Sequence, residues 1–188
     1  MTSQKRTALL DTAERLFYQQ GFHATGIDRI VADAGVVRMT LYNHFPSKGD
    51  LVAAVLKDRH TRFLAALDEA MELAADGEVT LALVDAHNRW NRAFSQRGCI
   101  QGKAMSEFEA HNADIHQQAV QAKKDVLGRV ESALARDGLP DQEALSRRIF
   151  LVLEGSNAAL PVLGMKAVLE DTRSAIEELI RFVRLKAP

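Results

Sequence analysis

Apolar residues recur at helical spacing in the segment that follows Thr25. They stand at positions i, i+3, i+4 and i+7, which places them along one side of a helix: Ile27, Ile30, Val31 and Ala34. Thr25, with Asp28 three residues later, fits a capping box at the start of this helix. Gly35 ends the helix and supplies a turn.

A second short helix is predicted over about residues 38–45. Leu41 and Phe45 are four residues apart and lie on its inner side. The outward arc then carries donors, an aromatic ring and small groups: Arg38, Met39, Thr40, Tyr42, Asn43 and His44. Val37 precedes the helix and cannot accept its free N–H groups, so we expect this end to be less stable by about 1 kcal/mol and to fray in the absence of a partner.

The flanking segments are also helical in pattern. A first helix is expected over about residues 5–20, with Gly21 as a left-handed C-terminal cap. Ser47 and Asp50 fit another capping box, which opens a long helix over about residues 47–74. Its continuous apolar stripe predicts a single rod shared between two domains.

Beyond Gly77 every longer segment keeps helical spacing and none alternates like a strand. Five further helices are predicted, at about residues 80–96, 102–109, 112–136, 141–163 and 167–185. The fold class is therefore all-α. We expect a three-helix helix-turn-helix domain over residues 1–48 and a second domain over residues 49–188, with the helix at 47–74 connecting them.

Composition narrows the class of protein. The 188 residues are 47% hydrophobic, enough to bury a substantial core, and no apolar run approaches the roughly 18 residues that span a bilayer. Charges interrupt the N-terminal segment where a signal peptide needs apolar residues, so we expect a cytoplasmic protein. The single cysteine, Cys99, excludes an internal disulfide; it is interpreted as a small buried residue, with redox sensing as the alternative.

Charge is unevenly distributed. Residues 1–62 hold nine Lys and Arg against six Asp and Glu, a net charge of +3, whereas the remainder has a net charge of −4. This asymmetry has the sign expected if the N-terminal end meets nucleic acid.

Catalytic and metal-binding patterns are not found. The sequence has no GxSxG, no phosphate-binding glycine loop and no HExxH, so we expect no enzyme and no cofactor. His111 and His116 are five residues apart and would point in different directions on a helix, which argues against a metal site.

One segment resembles a known family. The run TGIDRIVADAGVVRMTLYNHFPSK, residues 25–48, is similar to the DNA-binding motif of the TetR family of bacterial transcriptional regulators, above all in Leu41-Tyr42-x-His44-Phe45 followed by Ser47-Lys48. The resemblance covers about the first 60 residues. Val37 departs from it, because the family usually has a small hydroxyl residue there.

The outward arc of the second short helix and the resemblance together indicate which residues contact DNA. Arg38, near the start of the second short helix, can make a bidentate contact to guanine, Thr40 can serve several bases, and Met39 can press on a thymine methyl. Asn43 shares the outward arc. The resemblance implies that the remaining candidates meet backbone phosphates: Thr25, Tyr42, His44 and Lys48.

A homodimer is expected because one such motif contacts few base pairs and two half-sites must be engaged together. Guided mostly by the resemblance, we predict that the interface lies on the last two helices. Its candidate residues are Leu145, Ile149, Val152, Leu153, Ser156, Ala159, Leu160, Ile176, Leu179, Ile180 and Val183. The alternative is that these stripes face only the core of their own subunit.

The resemblance also implies a ligand cavity in the larger domain, whose occupancy changes the spacing of the two DNA-binding domains. An apolar or aromatic effector would meet an aromatic and methionine stripe with two polar anchors. The candidates are His87, Trp90, Phe94, Cys99, Met105, Phe108, Val120 and Asn157. A plain core is the alternative for the same stripe.

These observations predict a regulator that binds double-stranded operator DNA, most simply a repressor released from a palindrome by a small-molecule inducer. The alternative hypothesis is a helical ligand-binding or protein-interaction module that does not bind DNA, which only the missing cap at Val37 favours.

Overall fold

The computed structural model describes residues 4–186, and the regular elements in that range are helices. Their bounds are α1 Gln4–Gln20, α2 Ile27–Asp33, α3 Arg38–His44, α4 Lys48–Glu72, α5 Val79–Phe94, α6 Ile100–Phe108, α7 Ala113–Arg136, α8 Gln142–Leu163 and α9 Met165–Lys186. The predicted all-α fold class is confirmed. None of these helices is both long enough and apolar enough to cross a membrane.

Two predicted helix boundaries have the expected local chemistry. Gly21 follows α1 with φ +92°, and its N–H donates to Phe17 O at 2.9 Å. Ser47 precedes α4, where its Oγ accepts the Asp50 N–H at 3.1 Å and its hydroxyl donates to Asp50 Oδ2 at 2.7 Å. Both ends are therefore fixed by a residue that the sequence singles out.

The predicted capping box at Thr25 is wrong. Gly26, in extended conformation, occupies the N-cap position of α2 and makes no side-chain cap. The Thr25 hydroxyl instead donates to Gly21 O at 2.7 Å. Because the last carbonyls of α1 have no partner within their own helix, this hydroxyl is used at the end of α1 and is not available at the start of α2.

The start of α3 has no side-chain cap, as expected for valine. Val37 holds the N-cap position in extended conformation, and its carbonyl accepts the N–H of Thr40 at 2.9 Å. With only seven residues, α3 has little stability of its own. Its position must therefore come from packing.

The described chain divides into two compact units, and the division differs from the predicted boundary at residue 48. Unit 1 contains residues 4–61 and 100–122, and unit 2 contains residues 62–99 and 123–186. The long helix α4 accordingly contributes residues 48–61 to unit 1 and residues 62–72 to unit 2.

Aromatic packing explains why unit 1 extends beyond the N-terminal helices. The ring of Phe22, fully buried, lies 5.2 Å from that of Phe17 and 5.4 Å from that of Phe108 in α6. Ile115 and Ala119 of α7 belong to the same core. The N-terminal helices alone would leave the Phe22 side chain without its cover, so α6 and the first part of α7 complete the core.

A carboxylate fixes the turn between α1 and α2. Glu107 Oε2 accepts the backbone N–H groups of Phe22 at 2.9 Å and His23 at 3.0 Å. The His23 ring nitrogen lies 2.8 Å from the Glu107 carbonyl oxygen. Residues far apart in sequence are thereby joined by hydrogen bonds to a charged group, which are stronger than neutral ones.

Unit 2 has a separate apolar core from α4, α5, α7, α8 and α9. Its buried members include Leu67, Leu83, Val130, Leu134, Leu145, Ile149, Leu153, Ile176 and Ile180. Asp137, just after α7, accepts the N–H groups of Val79 at 2.9 Å and Thr80 at 2.8 Å. This carboxylate caps α5, whose own N-cap residue Glu78 makes no side-chain bond.

We expect Glu107→Gln to lower the free energy of unfolding by about 1–2 kcal/mol, because two N–H groups lose a charged acceptor. Amide exchange at Phe22 and His23 should become faster in the same variant. Urea unfolding and exchange by NMR measure the two effects. Glu109→Gln, which changes an exposed carboxylate two residues away, is the control and should behave as wild type. Equal exchange rates in Glu107→Gln and wild type would contradict the proposed anchor.

Candidate nucleic-acid interface

Two buried side chains orient α3. Leu41 and Phe45 are both in the core of unit 1, so the opposite arc of the helix faces outward. Four of the predicted DNA-contacting residues are exposed there: Arg38, Met39, Tyr42 and Asn43. Thr40 and His44 are half-buried at the edges of the arc. The short helix therefore presents a polar and apolar surface of the kind that can enter a major groove.

Val37 adds an apolar group that sequence reasoning missed. Both Val37 and Met39 are 68% exposed, a high value for apolar side chains. From sequence, Val37 predicts only a poor cap, although its place directly before the outward arc is a usable signal. The start of α3 thus carries two exposed apolar groups on either side of Arg38, a combination suited to a guanine edge beside a thymine methyl.

Arg38 is held at the surface by an ion pair with α2. Its Nη2 lies 2.8 Å from Asp28 Oδ1, and both side chains are mostly exposed. Exposed pairs of this kind contribute little to stability. The guanidinium can exchange this carboxylate for another acceptor at low cost, and until then the pair limits its range of orientations.

The turn between α2 and α3 has a second set of ion pairs behind it. Asp33 Oδ2 lies 2.8 Å from Arg15 Nη2 of α1, and Asp33 Oδ1 lies 2.9 Å from Arg29 Nε. The hydrogen bond from Arg15 holds the pKa of Asp33 below its usual value. These contacts connect α1 to the C-terminal end of α2.

Thr25 does not fit the predicted phosphate contact. The residue is only 1% exposed, and its hydroxyl is already used at the end of α1. The motif position is therefore structural in this chain, and the outward arc is formed without it.

Lys48 lies at the start of α4 and is half-buried. Its Nζ donates to the backbone carbonyl of His23 at 3.3 Å. Burial lowers the pKa of Lys48, and the charge of Glu107 partly opposes that effect. The ammonium is thus held beside the turn that Glu107 fixes, close to the unit's exposed N-terminal surface.

The net charge of unit 1 differs from that of residues 1–62, because the unit also contains residues 100–122. Residues 4–61 and 100–122 together hold nine Lys and Arg and nine Asp and Glu, so the formal net charge of the unit is zero. Residues 4–61 have a net charge of +2, because Arg62 belongs to unit 2, and residues 100–122 have a net charge of −2 that cancels it. Attraction to a polyanion would have to come from the local placement of cations such as Arg38 and Lys48, because the formal net charge of the unit is zero.

The predicted dimer stripe is a core in this chain, which is a correction. Eight of its residues are buried: Leu145, Ile149, Leu153, Ser156, Leu160, Ile176, Ile180 and Val183. Val152, Ala159 and Leu179 are half-buried. Spacing defined the apolar side of α8 and α9 correctly, but α8 and α9 need that side to pack within unit 2.

A different apolar surface is left exposed on the same two helices. On α8, Leu151 is 69% exposed and Val162 is 82% exposed, eleven residues apart and thus on one side of the helix. Phe182 and Leu185 are exposed on α9. Apolar side chains exposed at helical spacing mark a surface that another molecule can cover.

The residues of the predicted ligand pocket are divided between the two units. Phe108 is buried in the core of unit 1, Met105 packs against that core, and Val120 also belongs to unit 1. In unit 2 the ring of Trp90 lies 4.5 Å from that of Phe94 and 5.2 Å from that of Phe63. Of the predicted pocket residues in unit 2, those on α5 therefore take part in an aromatic cluster.

A concavity of unit 2 lies on another side of α5. It has a volume of about 290 Å³ and is lined by Asp85, Asn88, Arg89, Arg92, Leu169, Glu170 and Arg173. Arg173 Nη1 pairs with Asp85 Oδ1 at 2.7 Å. This groove is mostly charged, so it differs from the apolar pocket that the sequence suggested. Within residues 4–186, no group of three His, Cys, Asp or Glu is placed to hold a metal ion.

A helix-turn-helix with an exposed polar arc on its second helix, joined in one chain to a separate helical unit, defines the helix-turn-helix class of transcriptional regulators. Comparison with known proteins refines the class. The family model described as "Bacterial regulatory proteins, tetR family" matches residues 9–55. The HTH-type transcriptional regulator YxaF of Bacillus subtilis is 47% identical over 162 residues, which are 82% of this chain and 85% of YxaF.

The chain belongs to the TetR family of bacterial transcriptional regulators. Among solved structures, SCO4454, a TetR-family transcriptional regulator from Streptomyces coelicolor, superposes with a TM-score of 0.89 at 30% identity, covering 96% of this chain and 90% of that one. The HTH-type transcriptional activator FasR of Mycolicibacterium smegmatis is 36% identical over 84 residues, 44% of this chain, and the match spans only 38% of FasR. The family and these relatives regulate transcription and are not enzymes.

His87, a predicted polar anchor, is buried in unit 2. It is 4% exposed, and its Nδ1 lies 3.4 Å from the Asn91 side-chain nitrogen. Burial, reinforced by the positive charge of Lys123, lowers the pKa of His87 from 6.5 to about 4. The imidazole is therefore neutral at pH 7, and protonating it would place a second cation beside Lys123.

Stability should consequently fall as the pH drops from about 6.5 to about 4, since His87 takes up a proton in the unfolded chain before it does in the folded one. His87→Gln removes this dependence, so its loss over that range should be smaller than that of wild type by about 3 kcal/mol. Urea unfolding followed by the fluorescence of Trp90, the single tryptophan, measures it. His111→Gln, at an exposed position, is the control. Parallel pH profiles for His87→Gln and wild type would contradict the assignment.

Proposed function

We propose that this protein is a homodimeric repressor that binds a palindromic operator through α3 of each subunit and is released from it by a small molecule. The exposed arc of α3 around the buried Leu41 and Phe45 carries the proposal. Exposing a guanidinium, apolar groups and a phenol on one surface does little to stabilise the fold. The same groups are suited to contact the base edges and phosphates of DNA.

Within this proposal the residues of α3 have different tasks. Arg38 contacts guanine, Met39 contacts a thymine methyl and Thr40 contacts a base edge, with Asn43 beside them. Tyr42, His44 and Lys48 hold backbone phosphates and set the register of the helix on the duplex. The Arg38–Asp28 pair must open for the guanine contact to form.

Dimerisation is assigned to the exposed apolar surface of α8 and α9, in place of the stripe that is used in the core. Gly155 and Ala158 are exposed between Leu151 and Val162 on α8. Small residues there allow a second helix to approach closely, with the larger side chains packing at either end. Two helices from each subunit would then form a four-helix interface.

The effector is assigned to unit 2, where the ring of Phe63 lies 5.9 Å from that of His87 and 5.2 Å from that of Trp90. An aromatic or apolar molecule fits such surroundings, and the neutral His87 supplies a hydrogen-bonding group. For release to follow, the molecule must bind the DNA-free arrangement better than the DNA-bound one.

Binding to duplexes from the upstream region of the protein's own gene tests the DNA assignment. We expect Tyr42→Ala to weaken binding to all sequences alike, because it removes a phosphate contact. Arg38→Ala should weaken binding to the palindrome by about 10- to 100-fold and also reduce the preference over a scrambled duplex. Fluorescence anisotropy at fixed salt, with matched and scrambled duplexes, measures both quantities.

Arg92→Ala removes an exposed arginine of unit 2 and serves as the control, with expected wild-type affinity. Unchanged affinity in both α3 variants would rule out the docking of α3. Failure of the wild-type protein to prefer any palindrome from that region would instead favour a helical module that does not bind DNA.

The dimer surface can be tested separately by Leu151→Glu. The variant should be monomeric at concentrations where wild type is dimeric, because an unpaired carboxylate would be buried in the interface. Leu73→Glu, which changes a leucine that is 80% exposed elsewhere, should remain a dimer. Sedimentation equilibrium gives the masses. A dimeric Leu151→Glu, or a monomeric wild type, would show that this surface has another role.

A further inference from the structure

The single cysteine of the chain lies against a buried lysine in unit 2. Cys99 Sγ is 3.2 Å from Lys123 Nζ. The Lys123 side chain is only 12% exposed, and its Nζ donates to both carboxylate oxygens of Glu154, at 2.6 and 2.8 Å. Nothing in the proposed recognition of DNA requires this group. It brings a nucleophilic sulfur, an amine and a proton acceptor into contact.

Electrostatics favour a reactive sulfur. Burial lowers the pKa of Lys123, but the charges of Cys99 and Glu154 and the hydrogen bonds they make outweigh burial and raise the pKa overall. Lys123 is therefore an ammonium in the resting protein. Cysteines that react with oxidants commonly lie beside a cationic side chain, and the Lys123 ammonium is 3.2 Å from Cys99 Sγ. Cys99 is also half-buried, so a small oxidant can reach it.

The backbone of Asn157 approaches Gly98, the residue before the cysteine. Asn157, on α8 one turn after Glu154, has its carbonyl oxygen 3.5 Å from the place that a Cβ on Gly98 would occupy. Its side chain is buried, with the residue 8% exposed, and Oδ1 accepts no hydrogen bond from the described residues. Buried polar atoms without a partner are rare and costly. Unit 2 therefore holds a buried acceptor on α8 that has no partner among the described residues.

In sequence, Cys99 and Lys123 directly flank the segment 100–122 that belongs to unit 1. Cys99 is the last residue of unit 2 before the chain enters the segment 100–122 of unit 1, and Lys123 is the first residue of unit 2 after it. A bond between the two side chains would therefore close a loop around the whole segment that α6 and the first part of α7 contribute to unit 1.

We propose that Cys99 and Lys123 form a reversible sulfur–nitrogen cross-link when the protein meets a peroxide. In the first step the Cys99 thiolate attacks one peroxide oxygen and the O–O bond breaks. The second oxygen leaves as hydroxide and becomes water on protonation. Sulfur loses two electrons to give a sulfenic acid, and the peroxide gains them.

In the second step the Lys123 nitrogen attacks the sulfenic sulfur. Oxidation has removed the negative charge at Cys99, so one of the groups that held the proton on Lys123 is gone, and Glu154 accepts that proton at hydrogen-bond distance. The S–N bond forms as the S–O bond breaks, and the hydroxyl group leaves as water. A thiol reductant reverses the step by attack on sulfur, which restores the thiol and the amine.

Peptide mass spectrometry of the full chain treated with hydrogen peroxide tests the cross-link. Trypsin normally cleaves after Arg97, Lys103, Lys123 and Lys124. We expect a species in which peptide 98–103 is joined to peptide 104–124, uncleaved at residue 123 and lighter than the sum of its parts by two hydrogens, about 2 Da. Dithiothreitol should abolish it.

Lys123→Arg keeps the positive charge beside Cys99, but the guanidinium does not lose its proton. This variant should give no cross-linked peptide and should carry oxygen on Cys99 instead. Lys124→Arg, which alters the exposed neighbouring lysine, should cross-link as wild type does. Circular dichroism and unfolding midpoints establish that the variants are folded.

The wild-type protein alone can overturn the proposal, whether or not a variant folds. Recovery of Cys99 as a sulfenic, sulfinic or sulfonic acid with normal cleavage after Lys123 would do so. The same linked peptides in Lys123→Arg would also exclude it. These readouts are chemical, so they do not depend on whether the protein binds DNA.

Discussion

The insertion of Leu41 and Phe45 into one core is the constraint on which the outward surface of α3 depends. A seven-residue helix without a side-chain cap is not stable alone, so its rotation about its own axis is set by these two side chains. Arg6 of α1 lies over the Phe45 ring at 5.1 Å and closes the edge of that packing. Once the inner side is fixed, the helical period decides which polar groups face outward. The identity of the exposed arc is thus a consequence of apolar burial.

The same core links distant parts of the sequence. Phe22 meets Phe108, and the turn that follows α1 receives its acceptor from Glu107. Local hydrogen bonds alone could not hold that turn, since the N–H groups of Phe22 and His23 have no partner in α1 or α2. A carboxylate from α6 satisfies both at once. Order in the helix-turn-helix is therefore maintained by a segment that lies far along the chain.

Helical periodicity, glycine positions and capping residues were enough to predict the order and approximate bounds of the helices from sequence, as Gly21 and Ser47 illustrate. They were not enough to say what covers each apolar side. Ile149 and Ile176 belong to an apolar stripe that suits a core as well as an interface, and only the packed structure distinguishes the two. The predicted capping role of Thr25 was wrong for a related reason. A hydroxyl can donate to carbonyls that precede it in the chain as well as accept from N–H groups that follow it. The pattern of apolar residues predicts which side of a helix can be buried, whereas tertiary packing decides which partner covers that side.

The split of unit 1 between residues 4–61 and 100–122 also bears on how such proteins can be recombined. A chimera that exchanged only the first 61 residues would pair foreign helices with the resident Glu107 and Phe108, so the aromatic contact and the carboxylate that holds the turn would come from a different parent. Exchange of the whole unit between relatives would thus require three junctions in each parent: after residue 61, before residue 100 and after residue 122.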